Sequence, residues 1–310
     1  MSSAILVPLD GSVFAEQALP FALTLAQQAH AELHPVMVHA EPPFHEIGEW
    51  TSSIDAESLE EKLRERETAY LDSLARRLPS GHVAVHTPVL LEGDVVPALV
   101  DHVREHGIGR AVLSTHGRTG LERLWLPSVA EALLHKLTIP LLFVRPDPDA
   151  AEADAVHPAP PFRTVLVTLD GSQDAEAVLD DVLAFADGDD ARFILLRVVP
   201  PPPLLASAYL PHAALMQREE SEQRRVHARA YMEAVVQRLG ERASDIETRI
   251  VLHGHPATVI QRTADDEGVD LIAMGTHGHG GLRDMLMGSV TRDVVRTSAV
   301  PVLVHRVMDD

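Results

Sequence analysis

Two stretches in the second half of the chain combine glycines, a hydroxyl and an acid at spacings suited to phosphate and sugar recognition. Gly275-Thr276-His277-Gly278 is followed, after nine residues, by Gly288-Ser289. Glycine lets a backbone turn and approach a ligand with no Cβ in the way. Gly288-Ser289 opening a helix would aim free amides and one hydroxyl at an anion, with Val290 next in line. Asp170 ends a strand ahead of Gly171-Ser172, where an acid can accept from ribose hydroxyls. Backbone groups at Val198 are placed to read an adenine edge. Asp-Gly-Ser is also ordinary turn chemistry, so a helix-entry role stands beside the ligand role for Asp170 and for Asp10, its counterpart in the first half. Neither Gly-x4-Gly-Lys-Ser/Thr nor a Gly-x-Gly-x-x-Gly after the first strand is present.

The first half has a damaged version of the same loop: Ser114-Thr115-His116-Gly117, nine residues, then Pro127-Ser128. Proline has no N–H, so one potential phosphate donor is gone. Asp10, Ala40, Gly117, Ser128 and Val129 remain as weaker candidates, and this site is expected to bind more weakly than the second or not at all. His253-x-His255 and His277-x-His279 follow strand ends and could meet round a metal, but no third acidic ligand is spaced to join them. No protein-held metal is therefore expected. Zero cysteines exclude disulfides, thiolate metal sites and cysteine nucleophiles. No residue stands out as a general base or as the positioner of an attacking water, so slow hydrolysis of a bound nucleotide is the most that the residues support.

Positioning such loops requires an α/β scaffold, and the chain contains it twice. Ile5-Leu6-Val7-Pro8-Leu9-Asp10-Gly11-Ser12 returns as Val165-Leu166-Val167-Thr168-Leu169-Asp170-Gly171-Ser172, an offset of 170 − 10 = 160. Thr115-His116-Gly117 returns as Thr276-His277-Gly278 and Ile139-Pro140-Leu141 as Val300-Pro301-Val302, both offset by 161 (278 − 117; 301 − 140). So long a period is a duplicated domain. Domains are expected over 1–146 and 162–310, joined by a proline-rich acidic linker at 147–161. Short β-branched runs alternate with amphipathic stretches, the pattern of a parallel sheet with helices on its faces. Strands are read at Ile5–Leu9, Glu32–His39, Val83–Leu90, Ala111–Leu113 and Leu141–Val144. In the second half they are read at Thr164–Leu169, Phe193–Val199, Thr248–Leu252, Asp270–Met274 and Val302–His305. The clearest helix runs from about Ala56 to Leu78, and Pro20 should bend the first one. The net charge of −20 argues against a nucleic-acid or anionic-membrane surface. With no apolar run of membrane length and no secretory signal, a cytoplasmic protein is expected.

The Asp-Gly-Ser turn, the Gly-x2-Gly-x9-Gly-Ser loop and the closing Pro-Val-Leu-Val strand, in this order in the second half and in altered form in the first, resemble the universal stress protein family in tandem form. The resemblance implies two doubly wound five-stranded sheets of order 3-2-1-4-5, of the adenine nucleotide alpha hydrolase-like kind. It also implies ATP, accompanied by Mg2+, in the second domain. Carried over, phosphate contacts fall on Gly275, Gly278, Gly288, Ser289 and Val290, the ribose role on Asp170 and the adenine role on Val198. Thr168 stands where the family has proline. The implied role is a nucleotide-dependent stress-response regulator, pairing through the last strands and forming homodimers or larger homo-oligomers. A nucleotide-free dimerising scaffold is the alternative. An adenylyl transferase is disfavoured by the lack of a histidine-containing phosphate motif after the first strand. A receiver domain is disfavoured by the lack of its acidic pair and lysine.

Overall fold

The computed structural model describes residues 4–40, 56–79, 81, 83–115, 128–151, 153–186, 191–201, 213–243, 245–276 and 287–306. The chain divides into two compact units, Met1–Pro160 and Pro161–Asp310. The first runs β1 (Ala4–Leu9), α1 (Val13–Glu16), α2 (Leu19–Ala29), β2 (Glu32–His39), α3 (Ala56–Arg77), β3 (Ala84–Val85), β4 (Val89–Glu92), α4 (Val95–Glu105), β5 (Ile108–Ser114), α5 (Ser128–Lys136) and β6 (Leu141–Val144). The second runs β7 (Thr164–Thr168), α6 (Gln173–Glu176), α7 (Val178–Phe185), β8 (Arg192–Val199), α8 (Ala213–Leu239), β9 (Asp245–Leu252), α9 (Pro256–Glu267), β10 (Leu271–Gly275), α10 (Ser289–Thr297) and β11 (Val302–His305).

Within the first unit the strands lie in the order β3/β4-β2-β1-β5-β6, and within the second β9-β8-β7-β10-β11, all parallel. Each unit thus has the order 3-2-1-4-5, whose reversal of direction beside the first strand opens a crevice at the carboxyl ends. The central strands are apolar because helices cover both faces: Ile5, Leu6, Val7, Val165, Leu166 and Val167 are fully buried.

The third strand of the first unit departs from the continuous run expected over Val83–Leu90. It breaks between β3 and β4, and the pairing offset changes from 84 − 32 = 52 to 89 − 36 = 53. His86 N–H donates to Leu33 O and Gly93 N–H to His39 O, so the odd-numbered residues of β2 turn their backbone groups toward this strand. Pro35 is among them and has no N–H to give, and Pro88 removes another donor opposite. The ladder loses its bonds here and takes in an extra residue, as prolines within sheets require. In the second unit Leu195 replaces Pro35 (35 + 160), and β9 pairs without interruption from Asp245 to Leu252.

The first helix also breaks, with Pro20 in the first turn of α2. The same break separates α6 from α7 with no proline present, so Pro20 fits the break without being its sole cause. The proline-rich connection is docked rather than free. Val156 N–H donates to Arg77 O, Ala159 N–H to Pro20 O, and the Thr24 hydroxyl to Ala159 O at 2.6 Å. Val156 is buried, and the segment as far as Pro160 belongs to the first unit. Among the described residues no helix is long and apolar enough to cross a membrane.

Candidate functional site

In the second unit the turn after β7 builds itself from Asp170-Gly171-Ser172. Asp170 Oδ1 accepts from Ser172 N–H at 3.0 Å and Ser172 Oγ at 2.6 Å, while Ser172 Oγ accepts from Ala175 N–H and caps α6. The helix-entry role of Asp170 is therefore real: one carboxylate oxygen is engaged by the turn. Gly171 has φ +91°, a conformation open to glycine. A Cβ there would lie 2.3 Å from Arg197 Nη1, whose guanidinium also sits over the Tyr231 ring at 4.8 Å.

The end of β10 comes directly against this turn. A Cβ on Gly275 would lie 2.9 Å from Asp174 O and 3.1 Å from Ala175 Cα. Gly275 thus serves the packing of β10 on α6, and the strand-1 acid and the strand-4 loop share one corner of the sheet. Thr291 Oγ1 donates to Gly275 O at 2.9 Å, and Gly288 N–H donates to Thr276 O at 2.8 Å. The second bond corrects the expectation of free amides at Gly288-Ser289. The Gly288 amide closes the loop on itself, and the groups left for an anion begin at Ser289 and Val290. Gly288 is the N-cap of α10 and has no side chain with which to cap it, so that first turn offers its amides outward. Ser289 is exposed and Val290 half-buried.

Thr168 ends β7, its hydroxyl in a long 3.5 Å contact with Ala273 O. Val198 lies near the end of β8. Leu169 N–H donates to Leu196 O and His253 N–H to Val199 O, so by the strand's alternation the backbone groups of Val198 point to the β7 side. They reach beyond Thr168, the last residue of β7 paired with β8, toward Asp170. Gly278, His277 and His279 lie outside the described residues.

The first unit repeats the turn. Asp10 Oδ1 accepts from Ser12 N–H at 2.9 Å and Ser12 Oγ at 2.6 Å, and Ser12 caps α1. Thr115 N–H donates to Val144 O, as Thr276 N–H does to His305 O. Ala40 is exposed just past β2; Ser128 and Val129 open α5. Gly117 and Pro127 lie outside the described residues. Residue 127 occupies the Gly288 position (127 + 161) and, as proline, cannot supply the loop-closing N–H.

Sequence reading overlooked a second duplicated set under each turn. Arg77 forms a two-pronged ion pair with Glu16, at 2.7 and 2.8 Å, with both side chains only 10% exposed. Arg238 pairs with Glu176 in the same way of placement. Burial, then the neighbouring Glu16, pushes the Tyr70 hydroxyl well above its usual range; burial and Glu176 do the same to Tyr231. The signal was available in the repeat: 16 + 160 = 176, 70 + 161 = 231 and 77 + 161 = 238. These groups hold the long helix to the strand-1 turn in both units.

The family model described as "Universal stress protein family" matches residues 1–145 and 161–306. The chain belongs to the universal stress protein family, in tandem form. It is 26% identical over 321 residues to universal stress protein Rv1996 of Mycobacterium tuberculosis, covering 99% of this chain and 96% of that one. It is 29% identical over 216 residues to Rv2005c of the same organism, 68% of this chain and only 65% of that protein's length. A universal stress protein of Archaeoglobus fulgidus has the same fold, with a TM-score of 0.66 at 21% identity over 100% of this chain and 98% of its own.

Proposed function

We propose that the second domain binds an adenine nucleotide, ATP with its Mg2+, and that the protein acts by holding it as a stress-response regulator or sensor. The observation that carries this reading is the corner where α10 begins. Its first turn is uncapped by any side chain, its backbone is tied to β10 through Gly288 and Thr291, and β10 is packed against the Asp170 turn. A helix N-terminus held rigidly beside an acid matches the needs of a triphosphate and a ribose. Ser289 and Val290 would take phosphate oxygens, with Gly275, Gly278 and Gly288 shaping the loop. Asp170 would take the ribose with its carboxylate, and the main chain of Val198 the adenine. Mg2+ would ride on the phosphates, needing few protein ligands.

Holding rather than turnover is supported by the site's chemistry. Asp170 already accepts two bonds from Ser172, which ill suits it to accept a proton from an attacking water. The first domain, with Pro127 in place of the loop-closing glycine, is read as the structural partner of the second. The deciding measurement is mass spectrometry of denatured, freshly purified, untagged protein, followed by equilibrium titration with ATP. One adenine nucleotide per chain, bound through the second domain, is expected. A chain that carries none and takes up none at millimolar ATP would leave the dimerising scaffold as the better reading.

A further inference from the structure

We propose that the first domain holds a metal site of its own, in which His34, His86, His102 and His106 take one divalent transition-metal ion of the zinc and nickel class. The four rings come from three separate places: His34 from β2, His86 from just past β3, His102 from the last turn of α4 and His106 from its C-cap. Ring centroids lie 5.4 Å apart for His34 and His102, 5.3 Å for His34 and His106, and 5.9 Å for His86 and His106. Imidazoles sharing a tetrahedral ion through nitrogens about 2.0 Å from it have centroids roughly 5 Å apart. His34 Nδ1 and His102 Nε2 are separated by 3.2 Å, close to the roughly 3.3 Å between two nitrogens on one such ion.

Proton positions on three rings are fixed by acceptor-only partners. His86 Nδ1 lies 2.8 Å from Thr87 O and His106 Nδ1 3.1 Å from His102 O, so both rings carry the proton on Nδ1 and present Nε2 as a lone pair. His34 Nε2 faces the Glu32 carboxylate at 3.4 Å and leaves Nδ1 as the lone pair. Backbone carbonyls and a carboxylate on the far nitrogen are the outer partners that orient metal-binding histidines. His102 Nε2 now donates to His34 Nδ1; ion binding moves that proton to Nδ1 of the same ring. His34 and His102 are 2% and 4% exposed.

Among the described residues no three side chains yet converge on a coordination point. The stacked pairs, His34 with His86 at 4.6 Å and 22° and His102 with His106 at 4.1 Å and 30°, have nearly parallel ring planes, so His86 and His106 must turn out of the stacks, and the centroids part by about 1 Å, to share one ion. His86 is half-buried and His106 exposed, so rotation of these two rings meets little resistance.

The fold does not need histidines here. The matching positions in the second domain are Arg192 (32 + 160), Ile194 (34 + 160), Glu247 (86 + 161), Thr263 (102 + 161) and Glu267 (106 + 161). There Arg192 pairs with Glu247 at 2.5 Å and Glu267 at 2.9 Å, and Arg249 with both. One copy closes this corner with ion pairs that neutralise each other. The other fills it with imidazoles.

The test is calorimetric titration of untagged, chelator-stripped, full-length protein with Zn2+, repeated with Co2+ to read the visible bands of tetrahedral coordination. One saturable equivalent is expected, weakened 10- to 100-fold or more by His86→Asn or His106→Asn. Both are rim residues, and circular dichroism checks that their variants fold. No saturable equivalent below about 1 mM, the weak end of functional protein–metal affinities, would overturn the proposal. So would an equivalent undiminished in the His86→Asn/His106→Asn double variant, which would put the ion on other histidines.

Discussion

Replacing Gly288 by proline isolates one N–H at the nucleotide loop. Gly288 has φ −57° and ψ 147°, within the range that a proline ring imposes, so its own backbone angles need not change. What is lost is the 2.8 Å bond to Thr276 O. Thr276 is 1% exposed, so water cannot readily replace the donor. A net hydrogen bond is worth about 0.5–1.5 kcal/mol, and leaving a buried acceptor unsatisfied costs about 1–3 kcal/mol. Proline returns about 0.4–1 kcal/mol by restricting the unfolded chain. A net loss of about 1–2 kcal/mol in the closed loop follows, a reduction of roughly 5- to 30-fold in ATP affinity if closure is what readies the site. Gly288→Ala keeps the N–H at a negative φ and is the control for that bond, expected to bind ATP more tightly than Gly288→Pro. Calorimetric titration of the two variants reads the difference directly. If Gly288→Pro binds as well as Gly288→Ala while both remain folded, the loop-closing bond is irrelevant to binding. The explanation offered for Pro127 then goes with it.

Further outcomes are expected elsewhere. Gly275→Ala drives a Cβ against the backbone of Asp174 and Ala175 and should cost about 1–3 kcal/mol in the second domain; denaturant midpoints within error of the parent would contradict the packing role. Arg77→Ala strands the buried Glu16 carboxylate and should cost about 3–5 kcal/mol in the first domain. It should also speed hydrogen exchange at Val156, whose amide bonds to Arg77 O; unchanged exchange there would separate the ion pair from the docked segment. Glu247 and Glu267 are held below the usual carboxylate range, chiefly by hydrogen bonds from Arg249 and then Arg192. Because their folded values lie below the unfolded ones, the stability they add is present above about pH 4.5. It fades as pH falls through the folded values. Glu247→Gln should flatten that acid limb of a melting-temperature profile, and a superimposable profile would remove the pair from the account.

The duplication and the long helix α3 were legible in the sequence because each is written in apolar spacing or in a constant offset, whereas the strand order came only with the family resemblance. The break in the third strand was not legible. Apolar alternation reports which face a side chain takes and is silent on which neighbour an N–H addresses, so it gives no warning of what Pro35 does to the ladder. The role of Gly288 was half legible: a helix start was evident, yet only the geometry reveals that its amide is committed to Thr276. Asp170 lies in the turn after β7, where its bonds with Ser172 make it a turn residue as well as a ligand candidate. The histidine cluster was hidden by topology, since residues 34, 86 and 102 meet only once β2, β3 and α4 are stacked. The one local hint was His102-x3-His106, a single helical turn apart.

The docked segment after β6 bears on how such a chain can be divided. Composition assigns 147–161 to neither half, but Gln17 exchanges two hydrogen bonds with Asp147, and Thr24, Pro20 and Arg77 hold the stretch from Val156 to Ala159. A gene fragment ended at Arg145 would expose those partners to water and leave the first half short of a piece of its own surface. The second unit begins at Pro161. Recombination that exchanges halves between tandem relatives therefore has a favoured crossover on the far side of the prolines, and an expression fragment of the first half should run through Pro160.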